Sequence, residues 1–204
     1  MHLIPTQDET VALLRETGAL RDGHFEYPNG MHSNEYLQVP VAMRHSQHHR
    51  LLSVGLSRRL RANPEIRAIV PELSIVVPAT AGLPVAYGVC EALRAKQVYW
   101  AERDRDEDPL RFRQFIQPEK GEQVVLVDDI LRTGQKLTEL KKLLEAAGAT
   151  VIGLAVIIYQ PTPNTEQFGN LPLYYLAQLD ARYYADSEHC ALCKAGEPLQ
   201  KVWV

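Results

Sequence analysis

Cysteine is scarce in this chain: three in 204 residues, an odd number, with only Cys190 and Cys193 close together. That excludes the disulfide framework of a small secreted domain and leaves reduced thiols as the simplest state. No eighteen apolar residues occur together, and the opening Met1-His2-Leu3-Ile4-Pro5 lacks a basic segment followed by an apolar run. The expected location is therefore cytoplasmic, with no membrane partner. An excess of positive charge is missing too, since 22 Lys and Arg stand against 25 Asp and Glu for a net charge of -3. Without a broad basic footprint, small molecules are expected as partners and nucleic acid is not. No Gly-x-Gly-x-x-Gly follows a strand and no Gly-x-x-x-x-Gly-Lys appears, so dinucleotide and P-loop readings lack their glycines.

What is present is an ordinary globular composition, 46% apolar and 23% charged, long enough for one well-buried core over residues 1–204. Thr6 to Glu9 reads as a capping box opening a helix through Leu13, Leu14 and Gly18. Tyr36 to Val41 reads as extended, and Ser46 as the cap of a helix running to Asn63-Pro64. Ser74–Val77, Gln97–Ala101, Val124–Asp128 and Val151–Tyr159 read as strands. Helices are expected from Pro84, a residue suited to the first helical position, and over Gln135–Ala147, with Gly148 at the end. Glu102 to Lys120, dense in charge, reads as a mobile loop. Strand, crossover helix and strand in series predict the α/β class, a mainly parallel sheet covered by helices on both faces.

In such sheets ligands bind beyond the carboxyl ends of the strands. Two turns there carry unusual residues. Val124 to Lys136 sends two carboxylates, Asp128 and Asp129, out of a buried strand into Arg132-Thr133-Gly134-Gln135-Lys136 at a helix start. Carboxylates accept from sugar hydroxyls, while free N–H groups, a threonine hydroxyl and cations suit phosphate, so the pair fits a ribose 5-phosphate. The plain alternative is that the acids end a strand and favour the helix dipole. The second turn is Pro78 to Leu83.

The first stretch resembles the phosphoribosyl pyrophosphate signature of the type I phosphoribosyltransferases: an apolar strand, two acids and Thr-Gly. Gly23-His24-Phe25 with Asn29 to Gln38 is similar to the base-side segment of the orotate members of that family. Pro78 to Ala86 is similar to their pyrophosphate loop, Trp100-Ala101-Glu102-Arg103 to the start of their mobile loop, and Cys190 to Leu199 to the ending of some bacterial members. The resemblance implies a small base-side hood from residues 1–40, a mobile catalytic loop at 102–120 and a C-terminal tail at 180–204. It implies transfer of the phosphoribosyl group to a base, first orotate, giving orotidine 5'-monophosphate and pyrophosphate. Magnesium is the implied cofactor, reached by Asp128 and Asp129 through water, and a homodimer sharing the mobile loop is the implied working unit.

Roles follow on the same footing. Asp128, Asp129 and Arg103 are the expected catalytic residues. Thr80, Ala81 and Gly82 offer amides to pyrophosphate, with Arg111 and Arg113 arriving on the loop; Arg132, Thr133, Gly134, Gln135 and Lys136 hold the 5-phosphate. Phe25, Asn29, Gly30, His32 and Ser33 are expected at the base, although Phe25 can equally fill core and Asn29-Gly30 make a turn. Departures from the family pattern are Ala81 and Pro28 where many orotate enzymes carry lysine, Arg132 in place of a small or hydroxyl residue, and Gln135-Lys136 in place of glycine and serine or threonine. These keep open a transferase for a purine or another heterocycle, and a non-catalytic sensor of phosphoribosyl pyrophosphate. His189-Cys190 with Cys193 is half of a zinc ligand set with no second pair apparent, so no metal is expected there unless a dimer supplies one. His45, His48 and His49 are read as surface.

Overall fold

The structure is a computed structural model, and it describes residues 4–105 and 108–202. The chain begins with α1 (Gln7–Glu16), the hairpin β1 (Leu20–Glu26) and β2 (His32–Leu37), a short α2 (Val39–Met43), and α3 (Ser46–Arg61) with α4 (Pro64–Ile69). Then follow β3 (Ser74–Pro78), α5 (Leu83–Leu93), β4 (Gln97–Glu102), β5 (Arg111–Phe112), β6 (Gln123–Leu131), α6 (Gln135–Ala146) and β7 (Thr150–Tyr159). The last part holds β8 (Leu173–Gln178), β9 (Tyr183–Tyr184), α7 (Ala191–Lys194) and β10 (Leu199–Lys201).

Six strands form the main sheet in the order β5-β4-β3-β6-β7-β8, every pairing parallel except β5 on β4. Alternation along the central strands divides the core in two. Ile75, Val77, Val125, Val127, Ala155 and Ile157 face α1, α3 and α5, while Val76, Val124, Leu126, Leu154 and Val156 meet Leu137, Leu140 and Leu144 of α6. Burial on both faces is why these strands read as unbroken apolar runs. Against α3, Gly88 of α5 is a necessity: a Cβ there would lie 2.1 Å from Ser53 Oγ and 2.7 Å from the His49 ring.

A second sheet, β10-β1-β2-β9, stands as a hood beside the strand ends. It joins residues 20–37 to the chain's C-terminal part, so the hood extends beyond residues 1–40. Between Asp22 and Phe25 the β1–β2 register slips by one residue, a bulge.

The capping box at α1 is formed: Glu9 N donates to Thr6 Oγ1 (3.2 Å) and Thr6 N to Glu9 Oε2 (2.8 Å). Other boundaries differ from the sequence reading. The extended stretch at Tyr36 stops at Leu37, because Pro40 sits in the first turn of α2, where its missing N–H leaves no hydrogen bond unmade. α3 has His45, not Ser46, at its N-cap. α5 begins at Leu83 with Pro84 inside the first turn. β6 runs on to Leu131, three residues past Asp128, because β7 continues beside it to Tyr159. The described residues of 102–120 include β5, paired with β4, and contacts to Glu139 of α6, which accepts from Leu110 N (2.5 Å) and binds Arg103 (2.5 Å); residues 106 and 107 of the expected mobile loop lie outside the described residues.

Candidate active site

A cleft of about 630 Å³ opens at the carboxyl ends of β3, β4 and β6, beneath the hood. One wall is Pro78-Ala79-Thr80-Ala81 with Glu102 and Arg103; the floor and opposite wall are Asp128 to Leu137; the hood side is Tyr36, Leu37, Gln38 and Pro40. The strand register makes this place: β3, β4 and β6 lie side by side and in parallel, so all three release their following residues at one edge.

Asp128 and Asp129 are the floor. Asp128 Oδ1 accepts from Asp129 N (2.9 Å) and Asp129 Oδ1 from Ile130 N (2.9 Å), which fixes both side chains against their own backbone. Burial raises the Asp128 carboxyl well above the usual range, and the neighbouring Asp129 charge raises it further, against a pull downward from Lys136. Asp129 is raised by burial as well, partly offset by hydrogen bonds and Arg132. Two adjacent acids, Asp129 buried and Asp128 half-buried at the cleft, whose charge burial disfavours, are suited to hydroxyl donors or a hydrated cation. Space around them is tight. A Cβ on Gly82 would lie 2.5 Å from Asp128 Oδ1 and 2.7 Å from Val77 Cγ2, so glycine lets the Pro78–Leu83 turn come down onto the acids.

Beyond the floor, Gly134 adopts φ +78° and is the N-cap of α6, so that the first-turn N–H groups of Gln135, Lys136 and Leu137 are left without helical acceptors. Thr133, Gly134, Gln135 and Lys136 all line the cleft beside this helix start, which has the form of an anion cradle.

Arg132 lines the cleft beside this cradle with its guanidinium turned to Gln160 and the Leu37 carbonyl. Its Nε donates to Gln160 Oε1 (2.8 Å), an NH2 group donates to the Leu37 carbonyl (3.1 Å), and the guanidinium lies 5.7 Å from the Tyr27 ring centre. Tyr183 OH donates to the same Gln160 oxygen (2.9 Å), its phenol pushed up to about 12 by burial. Arg132 thus ties the turn after β6 to the hood and places its charge at the hood end of the cleft.

Of the residues expected from sequence, Thr80, Ala81, Arg103, Asp128, Asp129, Arg132, Thr133, Gly134, Gln135 and Lys136 are gathered around this cleft. Gly82 lies just behind it. Phe25, Asn29, Gly30, His32 and Ser33 do not line it. Phe25 is buried in the hood against Tyr36, with ring centres 5.7 Å apart, and Asn29 Oδ1 accepts from Met31 N (3.2 Å) within the hairpin turn that Gly30 completes at φ +80°. His32 and Ser33 are buried. Arg111 and Arg113 are likewise outside it, ion-paired with Asp104 and Glu102. Tyr36 and Gln38 line the hood side instead. They close the same base-side segment, and the turn at Pro40 that brings them to the cleft is not signalled by alternation. The anchors Tyr27, Gln160 and Tyr183 were likewise not marked in the sequence, since they meet Arg132 only through tertiary packing.

Parallel strands, a paired-acid floor and a helix-start cradle are the marks of a phosphoribosyltransferase, and a family model described as "Phosphoribosyl transferase domain" matches residues 71–167. Orotate phosphoribosyltransferase from Pelotomaculum thermopropionicum is 32% identical over 197 residues, 96% of each chain. That from Thermotoga maritima is 32% identical over 93% of this chain and 94% of its own. The chain therefore belongs to the orotate phosphoribosyltransferase family and is a pentosyltransferase. Solved structures agree on the fold. Orotate phosphoribosyltransferase from Aeropyrum pernix superposes with a TM-score of 0.64 at 21% identity, covering 82% of this chain and 92% of that one. The Mycobacterium tuberculosis enzyme in complex with inorganic phosphate gives 0.62 at 20% identity, covering 85% and 95%. No helix among the described residues is long and apolar enough to cross a membrane.

Proposed function

We propose that this enzyme transfers the 5-phosphoribosyl group of phosphoribosyl pyrophosphate to orotate, forming orotidine 5'-monophosphate and pyrophosphate in cytoplasmic pyrimidine synthesis. The observation that carries the reading is the Asp128–Asp129 pair set between the helix-start cradle and the Pro78–Ala81 wall, in a chain alignable end to end with orotate phosphoribosyltransferases. The acids accept from the ribose 2- and 3-hydroxyls. The amides of Gly134 to Leu137, with Thr133 and Lys136, hold the 5-phosphate; those of Thr80, Ala81 and Gly82, with Arg103, receive pyrophosphate.

The reaction is displacement at the anomeric carbon: the bond to pyrophosphate breaks as a ring nitrogen of the base bonds from the opposite face. Positive charge gathers on the ribose in the transition state. The chain's part is to hold both reactants in line and to stabilise the departing anion. Two adjacent carboxylates lining the cleft, Asp129 buried and Asp128 half-buried, form a donor set suited to a hydrated magnesium ion, which, when bound with the substrate phosphates, would supply charge neutralisation to the leaving group. The base enters at the hood end, between Tyr36, Gln38 and the Arg132 guanidinium, where a planar ring can stack and a carboxylate finds a cation. Arg132, from the turn after β6, thereby offers the base a charge that the β1–β2 hairpin, with Pro28 instead of lysine, does not supply. Arg111 and Arg113 exchange their present carboxylate partners for pyrophosphate when the loop closes, and a homodimer shares that loop between sites.

Pyrophosphate release from phosphoribosyl pyrophosphate with magnesium is to be followed with orotate, then with other pyrimidines and purines, and the product weighed. Orotidine 5'-monophosphate formed in preference to other nucleotides is the expected result. Turnover with a different base alone, or binding without turnover, overturns the orotate assignment.

A further inference from the structure

The four residues His24, His32, Cys190 and Cys193 stand together at the hood, outside the cleft lining, their ligand atoms all within 4.8 Å of one another. We propose that they form a structural zinc site that staples the C-terminal tail to the hood.

The hood's own pairing explains how the two histidines meet. His32 lies opposite Glu26 across the β1–β2 ladder, and His24, two residues before Glu26, projects from the same face of the strand. The cysteines come from the other end of the chain. Cys190 is the N-cap of α7 and Cys193 follows three residues later, so both sulfurs face one side of a single turn. Gly196, at φ +72°, then reverses the chain into β10, which pairs in parallel with β1 and sets Leu199 beside His24.

Geometry fits the ion. Zinc bonds of about 2.3 Å to sulfur and about 2.05 Å to nitrogen require tetrahedral edges of roughly 3.3 Å between nitrogens and roughly 3.5 Å between nitrogen and sulfur. Cys190 Sγ and Cys193 Sγ each lie 3.5 Å from His24 Nε2, and Cys193 Sγ lies 3.4 Å from His32 Nδ1. The two ring nitrogens are 2.8 Å apart, in hydrogen-bond contact, so they open by about half an ångström to reach the expected edge. Orientation is already supplied: His24 Nδ1 lies 3.0 Å from the Glu197 carbonyl, and donating to it leaves the Nε2 lone pair turned inward. A ligating histidine held through its other nitrogen by a backbone carbonyl is the usual outer support of a zinc site. Two thiolates also neutralise the ion's charge, which allows burial: His24 and His32 are 3% exposed and Cys190 is fully buried. Four protein ligands leave no open position, so the site is structural, and a soft sulfur and imidazole set selects zinc over magnesium.

The tail has little else to hold it. Of the described residues from Ala185 onward, Cys190 alone is buried; α7 buries none of its four residues, and every side chain of β10 is exposed. A segment without a core of its own is the circumstance in which metal binding supplies folding energy.

The test begins with the full-length protein, purified without chelator and supplied with zinc, and then with cobalt in its place. Expected are about one zinc per chain by elemental analysis and, with cobalt, the thiolate-to-metal charge-transfer absorption of a tetrahedral sulfur site. Cys193→Ser and His32→Ala should each lower the bound zinc to under about a tenth of a mole per chain. The cobalt spectrum is read on the unmutated protein, so it decides the matter even where a variant fails to fold. Zinc bound in less than about a tenth of the chains, a cobalt spectrum without the sulfur absorption, full zinc in Cys193→Ser, or an intact mass two hydrogens light from a Cys190–Cys193 disulfide would each overturn the site.

Discussion

Replacing Asp128 and Asp129 together by asparagine should move activity and stability in opposite directions. The Oδ1 atoms that accept from Asp129 N and Ile130 N are retained by asparagine, so the local backbone hydrogen bonds survive. What is lost is charge. A hydrogen bond to a charged group contributes about 1.5–3 kcal/mol, so losing two at the ribose costs about 3–6 kcal/mol of transition-state stabilisation, roughly 10²–10⁴ in kcat/KM. In the ligand-free protein the same charges are a burden, because burial raises both carboxyls and the Asp129 charge raises Asp128 further. A carboxyl raised in the folded state binds its proton more tightly there than when unfolded. Its favourable contribution is therefore present below the ordinary aspartate value of about 3.9 and disappears as pH climbs through the folded-state value. At neutral pH the double variant should melt above the parent, and the gap should narrow on acidification. Thermal unfolding between pH 4 and 8, beside pyrophosphate release under saturating magnesium, reads both effects. Activity within about threefold of the parent would refute the role given to the pair, and a lower melting point at neutral pH would refute the electrostatic argument.

Gly82→Ala puts a methyl 2.5 Å from Asp128 Oδ1 and 2.7 Å from Val77 Cγ2, and should cost about 1–3 kcal/mol of stability with a loss of turnover, measured by denaturant unfolding and initial rates. Arg132→Ala removes the hydrogen bonds to Gln160 and the Leu37 carbonyl and the cation proposed to meet the base; KM for orotate should rise about tenfold or more while KM for phosphoribosyl pyrophosphate changes less. The opposite split would return Arg132 to the phosphate. At the other end of the sheet, burial disfavours the Glu122 charge, but hydrogen bonds from Ser74, Glu119 N, Gln97 and Tyr99 outweigh it and hold the carboxyl below its usual range. Its contribution is therefore complete above the unfolded glutamate value of about 4.3 and is lost as pH falls through the folded one. Glu122→Gln should be less stable than the parent at pH 7, with the difference shrinking in acid, which urea unfolding at several pH values will measure.

The parallel sheet and the Asp128–Lys136 turn were legible in the sequence because each is written in consecutive residues. A strand buried on both faces must be apolar throughout, as Val124 to Val127 are, and an anion cradle must follow the strand that positions it. Boundaries were less legible where a neighbour decides them. β6 outlasts its acids because β7 runs beside it, and that is a property of the pair.

The hood is harder to read in the sequence for the same physical reason in a stronger form. The sequence places His32 and Tyr36 in one base-side stretch, yet they lie at opposite ends of β2, His32 at the hairpin end and Tyr36 at the end that leads into α2. Of that segment only Tyr36, Leu37 and Gln38 reach the cleft, while His32 faces His24 and the tail. Cys190 and Cys193 had no second ligand pair within reach in the chain. The missing pair lay more than 150 residues earlier, split across a hairpin, and only the parallel docking of β10 on β1 brings the four together. The hood strand that presents Tyr36 to the cleft thus also carries His32, so the proposed staple fixes the wall against which the base is proposed to lie.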